Sequence, residues 1–120
     1  MSGSIGGLDH VQVSIPRDGE RLARAFYADL LGLTEVPKPE ALRARGGCWF
    51  HGGAAVLHLG VEEPFLPARK AHPAFRVDDL DALAARLRAA DVECTFAADV
   101  PGVHRFHCLD PFGNRLEFVT

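Results

Sequence analysis

Several residue types are scarce in this chain of 120 residues, which has three cysteines, one methionine, one tryptophan and one tyrosine. Cys48, Cys94 and Cys108 are odd in number, far apart and without a CxxC pair. They read as reduced packing residues, not as a disulfide framework or a zinc knuckle. No apolar run is long enough for a transmembrane span, so a membrane partner is not expected. Charge of one sign is also missing: 13 basic against 16 acidic residues leave a formal net charge of -3. Without a basic stripe, nucleic acid is excluded as a partner. The N-terminal MSGSIGG lacks the charged and apolar regions of a signal peptide, so a cytoplasmic protein starting in earnest near Leu8 is expected. The length allows one domain with a real core and no second fold of ordinary size.

Histidine, by contrast, is plentiful, with six in the chain. Residues 8 to 15 alternate as in a half-buried strand, with Val11, Val13 and Ile15 on one face and His10, Gln12 and Ser14 on the other. Pro16 ends that strand, and Asp18 is the expected cap of a helix whose stripe is Leu22, Ala23, Phe26, Tyr27, Leu30 and Leu31, stopping at Gly32. The proline-punctuated stretch 36 to 45 predicts an irregular edge. Residues 48 to 51 and 54 to 61 predict two strands joined at Gly52-Gly53. Residues 62 to 71 contain two prolines and no period, and so read as a connection.

The pattern then begins again. Residues 72 to 77 predict a strand, and Asp78 or Asp79 caps a helix with Leu80, Leu83, Ala84 and Leu87 on one face. Strands follow at 92 to 96 and 104 to 110. Asp110-Pro-Phe-Gly-Asn114 is a tight reversal, after which Leu116 and Phe118 share one face of the last strand and Arg115, Glu117 and Val119 share the other. The chain thus divides into a module at 8–61, a linker at 62–71 and a module at 72–119, each reading strand, helix and about three strands. His10 opens one module and His72 the other. His58 and Glu117 close them, 48 residues after His10 and 45 after His72.

Each of His10, His58 and Glu117 lies opposite its strand's hydrophobic face, so one side of the sheet gathers imidazoles and a carboxylate. A carboxylate buried alone costs on the order of several kcal/mol, which coordination to a divalent cation offsets. His10, His58, His72 and Glu117 are therefore the candidate metal ligands, and Zn, Ni, Fe(II), Mn and Co all suit such a donor set. With open positions left, the ion can polarise adjacent substrate oxygens. Glu117 is also a candidate catalytic base. His58 has two open readings, ligand or general base, since an imidazole with a pKa of about 6.5 exchanges protons near neutrality. Arg45, Trp49 and Gln12 are the candidate substrate contacts.

The segments LDHVQVSI, AFYADLLGL, KAHPAFRV, VDDLDAL and DPFGNRLEFV, spanning Leu8 to Val119, resemble the vicinal oxygen chelate superfamily. That superfamily includes glyoxalase I, fosfomycin-resistance enzymes, methylmalonyl-CoA epimerase, extradiol dioxygenases and bleomycin-binding proteins. The resemblance implies an α+β, glyoxalase-like fold of two βαβββ modules, forming a curved mixed sheet with helices on its convex face. It also implies a homodimer in which modules of different subunits complete each site, and it puts His10, His72 and Glu117 on a 2-His-1-carboxylate metal set. The chain departs from glyoxalase I at His58, where that enzyme carries a glutamate. It departs from the fosfomycin enzymes at Gln12, in place of threonine, and at Pro101-Gly-Val-His-Arg105, in place of a potassium-binding loop. The resemblance thus implies a metal-dependent lyase or isomerase acting on a small molecule that chelates through vicinal oxygens. The alternatives are a small ring-cleaving dioxygenase, with His107 or Tyr27 as proton relay, and a non-enzymatic protein that sequesters an antibiotic or similar ligand.

Overall fold

The computed structural model describes residues 2–120, and its strands form two four-stranded mixed sheets. The first contains β1 (Val11–Ile15), β2 (Thr34–Val36), β3 (Cys48–Gly52) and β4 (Ala55–Val61) in the order β1-β4-β3-β2. The second contains β5 (Ala74–Arg76), β6 (Thr95–Ala97), β7 (Arg105–Leu109) and β8 (Arg115–Val119) in the order β5-β8-β7-β6. The β1–β4 and β5–β8 pairs are parallel and the others antiparallel, so the two halves repeat one topology. This is the expected glyoxalase-like α+β fold. The strands group into two sheets, one for each module. The Ser14 carbonyl of β1 accepts from the Asn114 amide, and the Ile15 carbonyl accepts from the Glu62 N–H, continuing the β1–β4 pairing.

Strand alternation fills one face of each sheet with core. Val13, Ile15, Cys48, Phe50, Leu57 and Leu59 are buried on the first sheet, and Phe106, Cys108, Leu116 and Phe118 on the second. Burial pushes the Cys48 thiol up to about 11 and the Cys108 thiol up to about 12, so both stay protonated and behave as packing groups. Helix α1 (Glu20–Ala23) widens directly into a π-helical stretch (Arg24–Leu30), closed by a Leu31 N–H to Phe26 carbonyl bond of 2.9 Å and stopped at Gly32, φ 79°. Its buried stripe is Ala23, Phe26 and Tyr27, whereas Leu22, off that stripe, is 57% exposed. Asp18 does not cap it: Asp18 sits in the turn at φ 63°, and Gly19 takes the N-cap without a side-chain bond. In α2 (Leu80–Ala89), Asp79 does cap, accepting from the Ala82 N–H at 3.0 Å, and Leu80, Leu83, Ala84 and Leu87 are buried. The stretch expected as an irregular edge is β2 followed by a 3-10 helix (Glu40–Arg45). Among the described residues no helix is long and apolar enough to cross a membrane.

A buried polar cluster ties the two halves together. Asp110 Oδ1 accepts from the N–H groups of Phe112 and Asn114, both at 2.9 Å, which fixes the β7–β8 turn. Its Oδ2 accepts from the Tyr27 hydroxyl at 2.6 Å and from the Asn114 amide at 2.9 Å. Asn114 also donates to Ser14 O and accepts from the Ala68 N–H. First strand, first helix, linker and last turn thus meet at one place.

Tyr27→Phe should lower the unfolding free energy in urea by about 2 kcal/mol, because a buried carboxyl oxygen loses its shortest donor; a change within a few tenths would show that the bond is not needed. Glu20, whose Oε2 accepts from the Gly47 N–H at 2.8 Å, has its pKa lowered chiefly by that bond. Its contribution is therefore complete above the ordinary value of 4.5 and is lost as pH falls through the lower folded value. Glu20→Gln should cost about 1 kcal/mol at neutral pH, and the gap to the parent protein should close on acidification; a gap constant with pH would count against this role.

Candidate metal centre

The tight turn at 110–114 sets Leu109 opposite Arg115, and two residues further along each strand His107 falls opposite Glu117. On the other side of β8, Glu117 is paired with Ala74, and its N–H donates to Pro73 O. His72, two residues before Ala74, therefore reaches the same face. Both imidazoles converge on one oxygen: His72 Nε2 lies 2.9 Å and His107 Nε2 3.1 Å from Glu117 Oε1. The three ligand atoms all lie within 4.8 Å of one another. Glu117 is only 8% exposed.

Second contacts fix these groups. His72 Nδ1 is 2.7 Å from the Lys70 carbonyl, which can only accept, so Nδ1 donates there and the ring is held with Nε2 toward Glu117. Arg105 Nη2 donates to Asp99 at 2.7 Å, while Nη1 stands 3.4 Å from both oxygens of Glu117. Burial pushes the Glu117 pKa up, but the His72 and Arg105 hydrogen bonds outweigh it and hold the carboxyl below its ordinary value. For His107, burial lowers the pKa and the positive Arg115 adds to it, against the pull of Glu117.

The first sheet carries a second cluster in the matching place. His58 on β4 is paired with Gln12 on β1 and Trp49 on β3. The Trp49 ring stacks on His58 at 3.8 Å with planes 2° apart, and His10 stacks at 4.2 Å. His58 is 8% exposed, and burial, then the neighbouring His10, lowers its pKa. His10 Nδ1 contacts Asp9 Oδ1 at 2.8 Å, which orients it as the Lys70 carbonyl orients His72. Gln12 leans over Gly60 with its side chain otherwise exposed.

The residues expected at one site thus fall into two groups. His72 meets Glu117, and His10 meets His58 with Trp49 alongside. A groove of about 660 Å³ between the β1 and β5 edges has His10 and Gln12 on one wall and His72 on the other, yet His10 and His58 are not part of the three-ligand cluster. Arg45 stands exposed at the end of the 3-10 helix, outside the lining of that groove. His107, expected only as a proton relay in the dioxygenase alternative, and Arg105, to which the sequence alone assigns no role, both belong to this cluster. The signal was present, since positions 105, 107, 115 and 117 share a face once the turn fixes the hairpin register. Two imidazole nitrogens and an ionised carboxylate, one imidazole held from behind, are a donor set that fits a borderline divalent ion.

The sequence matches the Glyoxalase/Bleomycin resistance protein/Dioxygenase superfamily over residues 7–118. It is 37% identical to the uncharacterized protein YaeR of Escherichia coli (strain K12), over 80% of this chain and 83% of that one. The crystal structure of a glyoxalase family protein from Bacillus anthracis superposes with a TM-score of 0.95 at 48% identity, covering 99% of this chain and 98% of the other. At 17% identity and a TM-score of 0.76, the fosfomycin resistance protein FosX from Listeria monocytogenes shares the fold, with 97% and 93% covered. With the family matched across nearly the whole length and the fold reproduced, the chain belongs to the Glyoxalase/Bleomycin resistance protein/Dioxygenase superfamily.

Proposed function

We propose that this protein is a metal-dependent enzyme of lyase or isomerase type, acting in the cytoplasm as a homodimer on a small molecule that presents two adjacent oxygens. The observation that carries this reading is the way His10 and His72, at matching places in the two halves, are each gripped at Nδ1, by Asp9 and by the Lys70 carbonyl. Each ring is thereby held with Nε2 on its far side as a ligand atom, which in His72 lies next to Glu117. With Glu117 ionised, the 2-His-1-carboxylate set is complete. A divalent ion held there supplies Lewis acidity to the substrate oxygens.

The remaining roles follow from the surroundings of each side chain. His58 is buried and uncharged near neutral pH, so its free nitrogen serves as general base, with the flat Trp49 ring fixing its plane. Gln12 and Trp49 are assigned to the substrate, whereas Arg45, outside the groove lining, is given no contact with it. His10 and His58 stand on one sheet and His72 and Glu117 on the other, without converging. The site is therefore taken to be completed by a second copy, the N-terminal module of one subunit facing the C-terminal module of its partner.

Elemental analysis after chelation and re-metallation should find one ion per site, and His72→Ala or Glu117→Ala should abolish stoichiometric binding while circular dichroism stays unchanged. Unchanged metal content in both variants would sink the assignment. Nickel or zinc directs assays to glyoxalase-like substrates, iron or manganese to oxygen uptake. His58→Ala should leave the ion bound; loss of the ion would make His58 a ligand instead of a base.

A further inference from the structure

We infer that the C-terminal module captures the ion by itself, with His107 as a third protein ligand beside His72 and Glu117. The inference shares those two residues with the proposed function and rests on that reading for the presence of an ion. What it adds is the order of assembly and a ligand on β7.

Three observations carry it. First, His107 and Glu117 are direct cross-strand partners, and the two histidine Nε2 atoms approach the same Oε1 from β5 and β7 with rings 5.6 Å apart and 72° inclined. Rings at that angle leave their nitrogens free to point at a common centre. Second, His72 Nδ1 is engaged by the Lys70 carbonyl, which fixes the ring with Nε2 aimed at Glu117 Oε1. A divalent ion seated among these atoms would replace the hydrogen bonds to Glu117 with coordination. Third, the side chains are 24%, 15% and 11% exposed for His72, His107 and Glu117, which limits competition from water.

Arg105 also pairs with Glu117, but from further away than the two imidazoles. Its short contact, 2.7 Å, is to Asp99, whereas it stands 3.4 Å from either oxygen of Glu117. The matching position on the first sheet is Trp49, which carries an N–H and no lone pair. Only the second sheet therefore has three donors in place. Capture by that sheet lets the metal be held before the N-terminal module of a second copy brings up His10.

The test uses full-length chains and zinc alone, titrated against a chromophoric chelator. His10→Ala/His58→Ala should still bind one zinc ion per chain, and adding His107→Ala should weaken that binding about tenfold or more. His107→Gln, which keeps a hydrogen bond to Glu117 but ligates poorly, should behave like the alanine variant and guards against misfolding as the cause. Equal affinity with and without His107 would overturn the inference. So would loss of zinc from the His10→Ala/His58→Ala chain, which would leave the cross-module site standing. Failure of the proposed function itself reads differently, as retention of zinc by His72→Ala and Glu117→Ala.

Discussion

The buried carboxyl of Asp110 and the amide of Asn114 are the constraint from which the rest of the architecture follows. Buried polar groups are costly unless every partner is present, and here the partners come from the first helix, the first strand, the linker and the closing turn. Satisfying them brings the two halves of the chain together. The same bonds hold the turn between β7 and β8, and through it the hairpin register that puts His107 opposite Glu117. A fault at this cluster therefore reaches the candidate metal centre without touching His72, His107 or Glu117.

The two halves repeat one scaffold and diverge in chemistry. Gln12, His58 and Trp49 stand in a row across the first sheet; Ala74, Glu117 and His107 stand in the corresponding row across the second. One row is stacked and uncharged, the other ionic and convergent. Such a division suits a site in which one face binds and positions organic substrate and the other supplies charge. The core faces of the two sheets remain alike, because packing constrains them in the same way.

Much of this was legible from alternation alone. Residues 115 to 119 form a strand as expected, Asp79 caps its helix, and the glycine after Leu31 ends the first one. The internal repeat makes His10 and His72, and His58 and Glu117, equivalent in place, but does not show their separation into two groups, one on each sheet. What escaped was longer in range. Leu22 fits a helical stripe on paper but lies off the buried side, and nothing local reveals the π-helical widening after Ala23. The bond that ties the last turn to the first strand joins an asparagine to a carbonyl one hundred residues earlier. His107 was missed because a histidine in a strand becomes informative only when its cross-strand partner is known. Arg45 drew notice from its place before a glycine pair, and the helix that exposes it has no strong sequence signal.

The sole tryptophan of the chain is stacked face to face on His58. An indole in van der Waals contact with an imidazole emits under the control of that imidazole, since a protonated ring quenches where a neutral one does not. Tryptophan fluorescence in this protein thus originates beside His58, in the N-terminal half of the proposed site. The molecule carries its own optical reporter, needing no label, for whatever enters the groove beside His10.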